Sequence, residues 1–305
     1  MSTEKFKIAV GYVLICLIWG STWLAIRLGL DSLTPLISSG LRFSLASFFV
    51  FVFMRHRNIQ LQTDPISIKL YMVLSLFSFV IPFALVYWAE QFIPSGLASI
   101  VFAVMPFSVV IFSKISFPNE KISFNQIFGV ILGFSGIVVI FSEHLSLDLS
   151  QQLFGILAVL VSSTMQAAIG VIVKKYGYHL NPLSMNFVPL FFAGLILIIA
   201  SLLLENRSTW DFNFTAVSSI VYLASVGTLV AFTTYYWLLK RINIVILSLS
   251  SFITPIVAVI LGWIILHEDF SLQTLIGSAF VLIGILFANF RGLLRHYNSK
   301  TLVVK

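Results

Sequence analysis

Apolar stretches of about twenty residues recur along the whole chain, separated by short connections that hold most of its charge. Twenty residues of α-helix rise about 30 Å, the thickness of a bilayer's hydrocarbon core. Ten segments meet that length, at residues 8–28, 35–54, 69–89, 94–114, 124–142, 152–173, 183–204, 215–238, 244–266 and 272–290. Between them lie RHRNIQLQTD, FPNEK, SEHLSLD, KKYGYHLN, ENRSTWDFN, KRIN and HEDF, none long enough for a soluble domain. Only 10% of residues are charged and 59% are hydrophobic, against roughly 25% charged in soluble domains. The pattern predicts an all-α integral membrane protein with ten transmembrane helices.

The basic residues are spread among the connections and mark topology rather than a nucleic-acid-binding face. With a cytoplasmic N-terminus, the inner side holds Lys5, Lys7, Arg55, Arg57, Lys69, Lys114, Lys121, Lys174, Lys175, Lys240, Arg241, Arg291, Arg295, Lys300 and Lys305. The outer side holds only Arg27 and Arg207. This 15-to-2 bias places both termini in the cytoplasm. Lys5 and Lys7 precede an apolar run as in a signal peptide, but LICLIWGSTWLAI continues to spanning length and is read as a retained helix. Cys16 is the one cysteine, so no intrachain disulfide can form.

The chain also repeats itself. YWAEQFIPSGLASIVFAVMPF (87–107) and YWLLKRINIVILSLSSFITPI (236–256) share Tyr-Trp and a proline eighteen residues beyond the Trp, Pro106 and Pro255. EKISFNQIFGVILGFSG (120–136) then matches EDFSLQTLIGSAFVLIG (268–284) at Glu, Ser and two Gly positions, and Pro35 and Pro182 precede the second segment of each half. The expected division is 1–147 and 148–305, two five-helix units. Five is odd, so the second unit would cross the membrane inverted, the arrangement of secondary transporters with a midplane site between halves.

The strings WGSTWLAIRLGLDSLTPLISSGLRF, SGLASIVFAVMPF and EKISFNQIFGVILGFSGIVVI, in this order and with this duplication, resemble the EamA-type drug/metabolite transporter family over nearly the whole chain. The resemblance implies export of amino acids and related metabolites through a central cavity. It also implies that segments 1–4 and 6–9 surround the cavity while 5 and 10 lie apart. The second half departs from the first, with Pro189 where Arg42 aligns and Gln166 in place of Trp19.

Polar groups within membrane helices face protein or water, because lipid cannot satisfy them. At helical spacing Trp19, Thr22 and Trp23 share a face, as do Ser162, Ser163 and Gln166, and Ser248, Ser251 and Pro255, with Ser99 and Pro106 as the counterpart in the first half. Each serine can simply bond its own helix, whereas the Gln166 amide needs several partners. Tyr87 and Tyr236 belong to Tyr-Trp pairs that could form an interfacial belt or turn inward as gates. Arg42 lies within an apolar run, able to snorkel toward Asp31 or Glu90 or to face a substrate carboxylate. The substrate-cavity candidates are therefore Trp19, Thr22, Arg42, Tyr87, Ser99, Ser162, Gln166, Tyr236 and Ser248. Pro106 and Pro255 are hinge candidates, since a mid-helix proline removes a hydrogen bond. Gly129, Gly133 and Gly136, and Gly277, Gly284 and Ala288, form small-residue ridges suited to close helix packing.

Other chemistry is scarce. His56, His144, His179, His267 and His296 lie in connections or the tail, so no metal site is expected, and no cofactor. A phosphate-binding glycine loop and a nucleophile elbow are both missing, against a self-contained ATP-driven pump and a hydrolase. Asp31, Glu90, Glu120 and Glu268 sit at segment ends, the last two suited to helix N-terminal capping. The expectation is a multi-pass secondary transporter of the bacterial plasma membrane that exports amino acids or related small metabolites by alternating access. A multidrug or organic-cation exporter and a passive facilitator are the alternatives, ahead of a membrane-embedded enzyme or signalling protein. Its partners would be the small-molecule substrate and the bilayer, with no nucleic acid.

Overall fold

A computed structural model describes residues 3–116, 151–242, 244–248, 250–284 and 287, together with 125, 128, 129, 131–133, 135, 136, 138 and 139. Glu120, Ala288, His144 and His296 lie outside the described residues. The helices are α1 (Thr3–Leu30), α2 (Pro35–His56), α3 (Pro65–Ala89), α4 (Ser95–Ser116), α5 (Gln151–Tyr176), α6 (Ser184–Leu204), α7 (Phe214–Leu239), α8 (Ile244–Ser248), α9 (Ser250–Leu266) and α10 (Leu272–Gly284). Seven of them, α1 to α7, are long and apolar enough to cross a membrane, and Ile253–Leu266 and Leu272–Gly284 are shorter apolar helices. Large apolar side chains such as Phe51, Ile115, Leu203 and Trp263 point outward, as expected where lipid rather than water is the solvent.

Local chemistry sets the ends. Pro35 and Pro65 occupy the first helical turn, where a missing N–H costs nothing. Asp64 accepts from the Ser67 N–H at 3.1 Å, and Asn213 from the Ala216 N–H at 3.0 Å, each capping the helix it precedes. At Thr34 the side chain makes no such cap. Glu205, at the end of α6, supplies it from across the bundle, accepting from the Leu36 N–H and Thr34 Oγ1 at 2.7 Å and the Ile37 N–H at 3.1 Å.

The most extensive contacts join helices from opposite halves: α2 with α6, α1 with α9, α3 and α4 with α5. Small residues make them possible. A Cβ on Gly194 would lie 2.7 Å from the Ser44 nitrogen, and one on Gly40 3.0 Å from the Ile198 nitrogen, so α2 and α6 meet backbone to backbone. The glycine ridges read from the sequence also meet each other. A Cβ on Gly136 would lie 2.7 Å from the Val281 nitrogen, and one on Gly284 2.5 Å from the Gly133 nitrogen.

Two helices contain π-helical turns. α3 carries a π-helical turn at Ser75–Val80 and α7 carries one at Ser225–Val230. Measured back from Tyr87-Trp88 and Tyr236-Trp237, the two turns fall within one residue of the same place. Each is one residue wider than an α turn, and such turns gather at functional sites.

The bundle has two rims. At one, Glu205 clamps α2 and the Asp211 N–H bonds the Ser32 carbonyl at 2.9 Å. At the other, the Lys240 ammonium bonds the Tyr178 carbonyl at 2.7 Å, and Ser67 Oγ lies 3.0 Å from His179 Nε2. Glu268 caps a helix, as its position suggested, but not the one it precedes. Its carboxylate accepts from the Ser95 and Gly96 N–H groups at 2.7 and 3.1 Å, holding the start of α4 at the Glu205 rim.

Candidate functional site

Between the halves lies a cavity of about 120 Å³, room for several waters where about 10–15 Å³ holds one. Helices from both halves line it. Of the nine positions singled out by sequence, Trp19, Thr22, Arg42, Ser162, Gln166, Tyr236 and Ser248 are on its wall. Tyr87 and Ser99 stand behind it: Tyr87 is buried and bonded to Arg42, and Ser99 Oγ donates to the Gly96 carbonyl of its own helix at 2.6 Å.

Arg42 is 1% exposed. Instead of snorkelling to Asp31 or Glu90, its Nε–H donates to Thr228 Oγ1 at 2.9 Å and Nη1 to Tyr87 Oη at 3.2 Å. Its guanidinium lies 4.9 Å from the centre of the Phe83 ring and 5.4 Å from that of Phe43, a cation–π setting that suits arginine. Thr228 belongs to the π turn of α7.

Gln166 makes the mirror-image arrangement. Its amide donates to the Ser78 carbonyl at 2.7 Å and accepts from Ser78 Oγ at 2.9 Å, and Ser78 belongs to the π turn of α3. Pro82 explains the free carbonyl, because it has no N–H to offer the residue four positions back. Ser162 Oγ then donates to the Pro82 carbonyl at 3.0 Å. Each π turn is thus held by a polar side chain from the opposite half, α2 reaching α7 and α5 reaching α3.

Rings make up much of the remaining wall. Trp19 packs against Phe232 and Tyr235 at 5.4 and 5.3 Å between centroids, and Trp23 against Phe102 at 5.5 Å. In each Tyr-Trp pair the tyrosine turns inward, Tyr87 being 0% and Tyr236 3% exposed. Trp88 is exposed, and Trp237 lies under the Arg241 guanidinium at 4.3 Å. Burial thus separates the two residues of each pair, the tyrosine inside the bundle and the tryptophan at its surface.

The two prolines differ. Helix α4 is interrupted between Phe102 and Met105, one residue before Pro106, whereas α9 runs through Pro255. The Ser251 carbonyl, which Pro255 leaves without its N–H, accepts from Thr254 Oγ1 at 3.4 Å.

One carboxyl is anomalous. Glu90, just past the end of α3, is 0% exposed, and neither of its oxygens has a hydrogen-bond partner among the described residues. Arg27 Nη1 bonds its backbone carbonyl at 2.6 Å rather than its side chain. Burial first, then the nearby Glu268 carboxylate, push Glu90 well above the usual carboxylate range, against the opposing pull of Arg27 and Arg42.

Sequence reasoning missed Ser78, Thr228, Phe83, Phe232 and Tyr235. Thr228 and Ser78 were visible as polar residues in mid-segment, but their roles depend on the π turns, which carry no simple sequence mark.

The profile of the EamA-like transporter family matches residues 7–142 and 153–290. The chain is 28% identical over 287 residues to the uncharacterized transporter YoaV of Bacillus subtilis (strain 168), covering 93% of this chain and 97% of that one. It is 29% identical over 256 residues to protein PagO of Salmonella typhimurium, covering 84% of each. It is also 29% identical over 252 residues to the uncharacterized inner membrane transporter YedA of Escherichia coli K12, covering 81% of this chain and 78% of that one. One solved crystal structure superposes on 93% of this chain and 97% of its own, with a TM-score of 0.69 at 18% identity, a likeness of fold.

Proposed function

The chain belongs to the EamA-like transporter family, and from that premise we propose that it is a secondary transporter exporting amino acids or related small metabolites by alternating access. It is a multi-pass protein of the plasma membrane, the inner membrane in a bacterial cell. Ten membrane segments, with 124–142 as the fifth and α8 and α9 together as the ninth, form two inverted five-helix repeats, 1–147 and 148–305, and the substrate binds between them.

The observation that carries this reading is the cavity, because both halves line it and each half pins the other's π turn beside it. The matching positions of those turns support the internal duplication. Orientation is supported by charge: Lys5, Lys7, Arg55, Arg57, Lys69, Lys174, Lys175, Lys240 and Arg241 gather toward the rim opposite Glu205 and Glu268, which favours a cytoplasmic assignment for that rim. Substrate would leave at the Glu205 rim, after the two carboxylate clamps open.

Uptake into inside-out vesicles is the test, with a panel of amino acids, nucleosides and organic cations. No accumulation or exchange of any of them would end the exporter reading. A passive facilitator is the second reading, favoured by one observation: no carboxylate lies on the cavity wall among the described residues. Counterflow in proteoliposomes with and without a proton gradient separates the two.

A further inference from the structure

Among the described residues the guanidinium of Arg42 has no ion-pair partner; the buried Glu90 carboxyl feels its charge but makes no hydrogen bond to it. Two of its five N–H groups are satisfied, by Thr228 and Tyr87, which leaves three without an acceptor among the described residues. No carboxylate oxygen lies within 4.0 Å of it among the described residues, where the ion pairs are His179 with Asp64 and Arg241 with Glu4. Tyr87 and Thr228 are neutral, and the rings of Phe43 and Phe83 stabilise a cation without neutralising it. A buried charge lacking its opposite is among the most expensive features a membrane helix can carry. It is retained where function uses it.

The other residues on the wall show what kind of molecule would use it. Arg42 is the one formally charged side chain lining the cavity among the described residues, and Asp, Glu, Lys and His are missing from the wall. An ammonium group entering there would meet a like charge, with only hydroxyls, carbonyls and ring faces to offset it. A carboxylate would instead find three unused N–H groups of a guanidinium, two on Nη2 and one on Nη1, for charge-assisted hydrogen bonds. Trp19, Phe83, Phe102, Phe232, Tyr235 and Tyr236 leave flat apolar surfaces for the rest of the molecule.

We propose that the cavity selects organic monoanions, a single carboxylate on a flat apolar body, with Arg42 as the anchoring cation and the aromatic wall as the seat of the body. This rests on the transporter reading and narrows it. A carboxylate without an ammonium group ranks first, a zwitterionic amino acid second, and an organic cation last. Arg42 thereby determines specificity for charge.

Four probes that share one carbon skeleton test the ranking: 3-phenylpropionate, phenylalanine, 3-phenyl-1-propanol and 3-phenylpropylamine. Binding to the purified full chain is read by quenching of tryptophan fluorescence, since Trp19 and Trp23 line the cavity. At pH 7 the propionate should bind at least about tenfold more tightly than the amine, the scale of one charge-assisted hydrogen bond. Arg42→Gln should remove the difference in affinity between the propionate and the alcohol, with folding of the variant checked separately by size-exclusion chromatography and thermal unfolding. Arg42→Lys should retain part of the preference, since charge survives and the planar fork of donors does not. Equal or tighter binding of the amine by the wild-type chain overturns the proposal. So does propionate affinity that is unchanged in Arg42→Gln, or binding of none of the four. If Arg42→Gln does not fold, the wild-type ranking alone decides. Exchange of the same probes in proteoliposomes separates the two layers of inference. Exchange of the amine but not the propionate removes the monoanion class and leaves a transporter. Ranked binding without exchange of any probe leaves the class and removes the transporter.

Discussion

Glu268→Gln should loosen one rim of the bundle by an amount that the geometry sets. The carboxylate accepts two backbone N–H groups at the start of α4, from Ser95 and Gly96. Hydrogen bonds to a charged group contribute about 1.5–3 kcal/mol each and neutral ones about 0.5–1.5 kcal/mol. Glu268 is partly exposed, so the low end applies: about 3 kcal/mol for the pair, of which one neutral bond of about 1 kcal/mol survives in glutamine. The loss of about 2 kcal/mol corresponds to roughly a thirtyfold shift in an equilibrium that requires this clamp to open. The assay uses Ser251→Cys, an isosteric change on the cavity wall, in a Cys16→Ala background. A membrane-impermeant maleimide applied from the Glu205 side labels the cysteine in proportion to the open population. Glu268→Gln should raise that rate by about thirtyfold, with substrate exchange altered in parallel. An unchanged labelling rate, with thermal stability reduced, would show that the clamp only supports α4 and does not gate the cavity.

Three other expectations can be checked by thermal unfolding in detergent. Burial, then the nearby Glu268 carboxylate, raise the Glu90 carboxyl well above its ordinary value, so the stability this shift contributes is complete at low pH and is lost as pH rises above about 4.3 toward the raised value. The wild-type unfolding temperature should therefore fall across that range, while Glu90→Gln stays flatter and exceeds it at pH 8; equal pH profiles would refute this. Gln166→Leu should cost about 1–3 kcal/mol by leaving the Ser78 carbonyl unmet, and Pro82→Ala should shrink that cost by restoring an N–H donor; an undiminished cost would mean that the proline is not the cause. Gly194→Ala should cost about 1–3 kcal/mol by forcing α2 from α6, and an unchanged unfolding temperature would contradict the backbone contact.

Segment length, composition and internal repetition made the class and much of the wall of the cavity legible, because lipid imposes length and polarity limits that a single sequence displays openly. Trp19, Thr22, Ser162, Gln166 and Ser248 were visible as polar or amphipathic residues at helical spacing, and they do line the cavity. What could not be read was direction. Arg42 had carboxylates within reach at either side of its helix start, yet it turns to Thr228, 186 residues away. Glu268 could be placed at a helix start, but nothing local says that the start belongs to α4. Tyr87 and Trp88 are adjacent and similar in chemistry, so only packing separates the one that turns inward from the one that meets lipid. Local rules assign a residue to a helix and a depth; its partner comes from the opposite half of the chain.

The π turns explain that last separation. Each residue of an α-helix advances the side chains by about 100°. A turn that takes in one extra residue therefore rotates everything beyond it by about that angle relative to an unbroken helix. Tyr87 and Trp88 follow Ser75–Val80 in α3, with Glu90 just past its end, and Tyr235, Tyr236 and Trp237 follow Ser225–Val230 in α7. Without the extra residue, the end of each helix would be out of phase, with a different side chain aimed at the bundle axis and Tyr87 turned away from Arg42. A single-residue deletion within either π turn would thus redirect the whole end of its helix, a larger change than any one substitution along it.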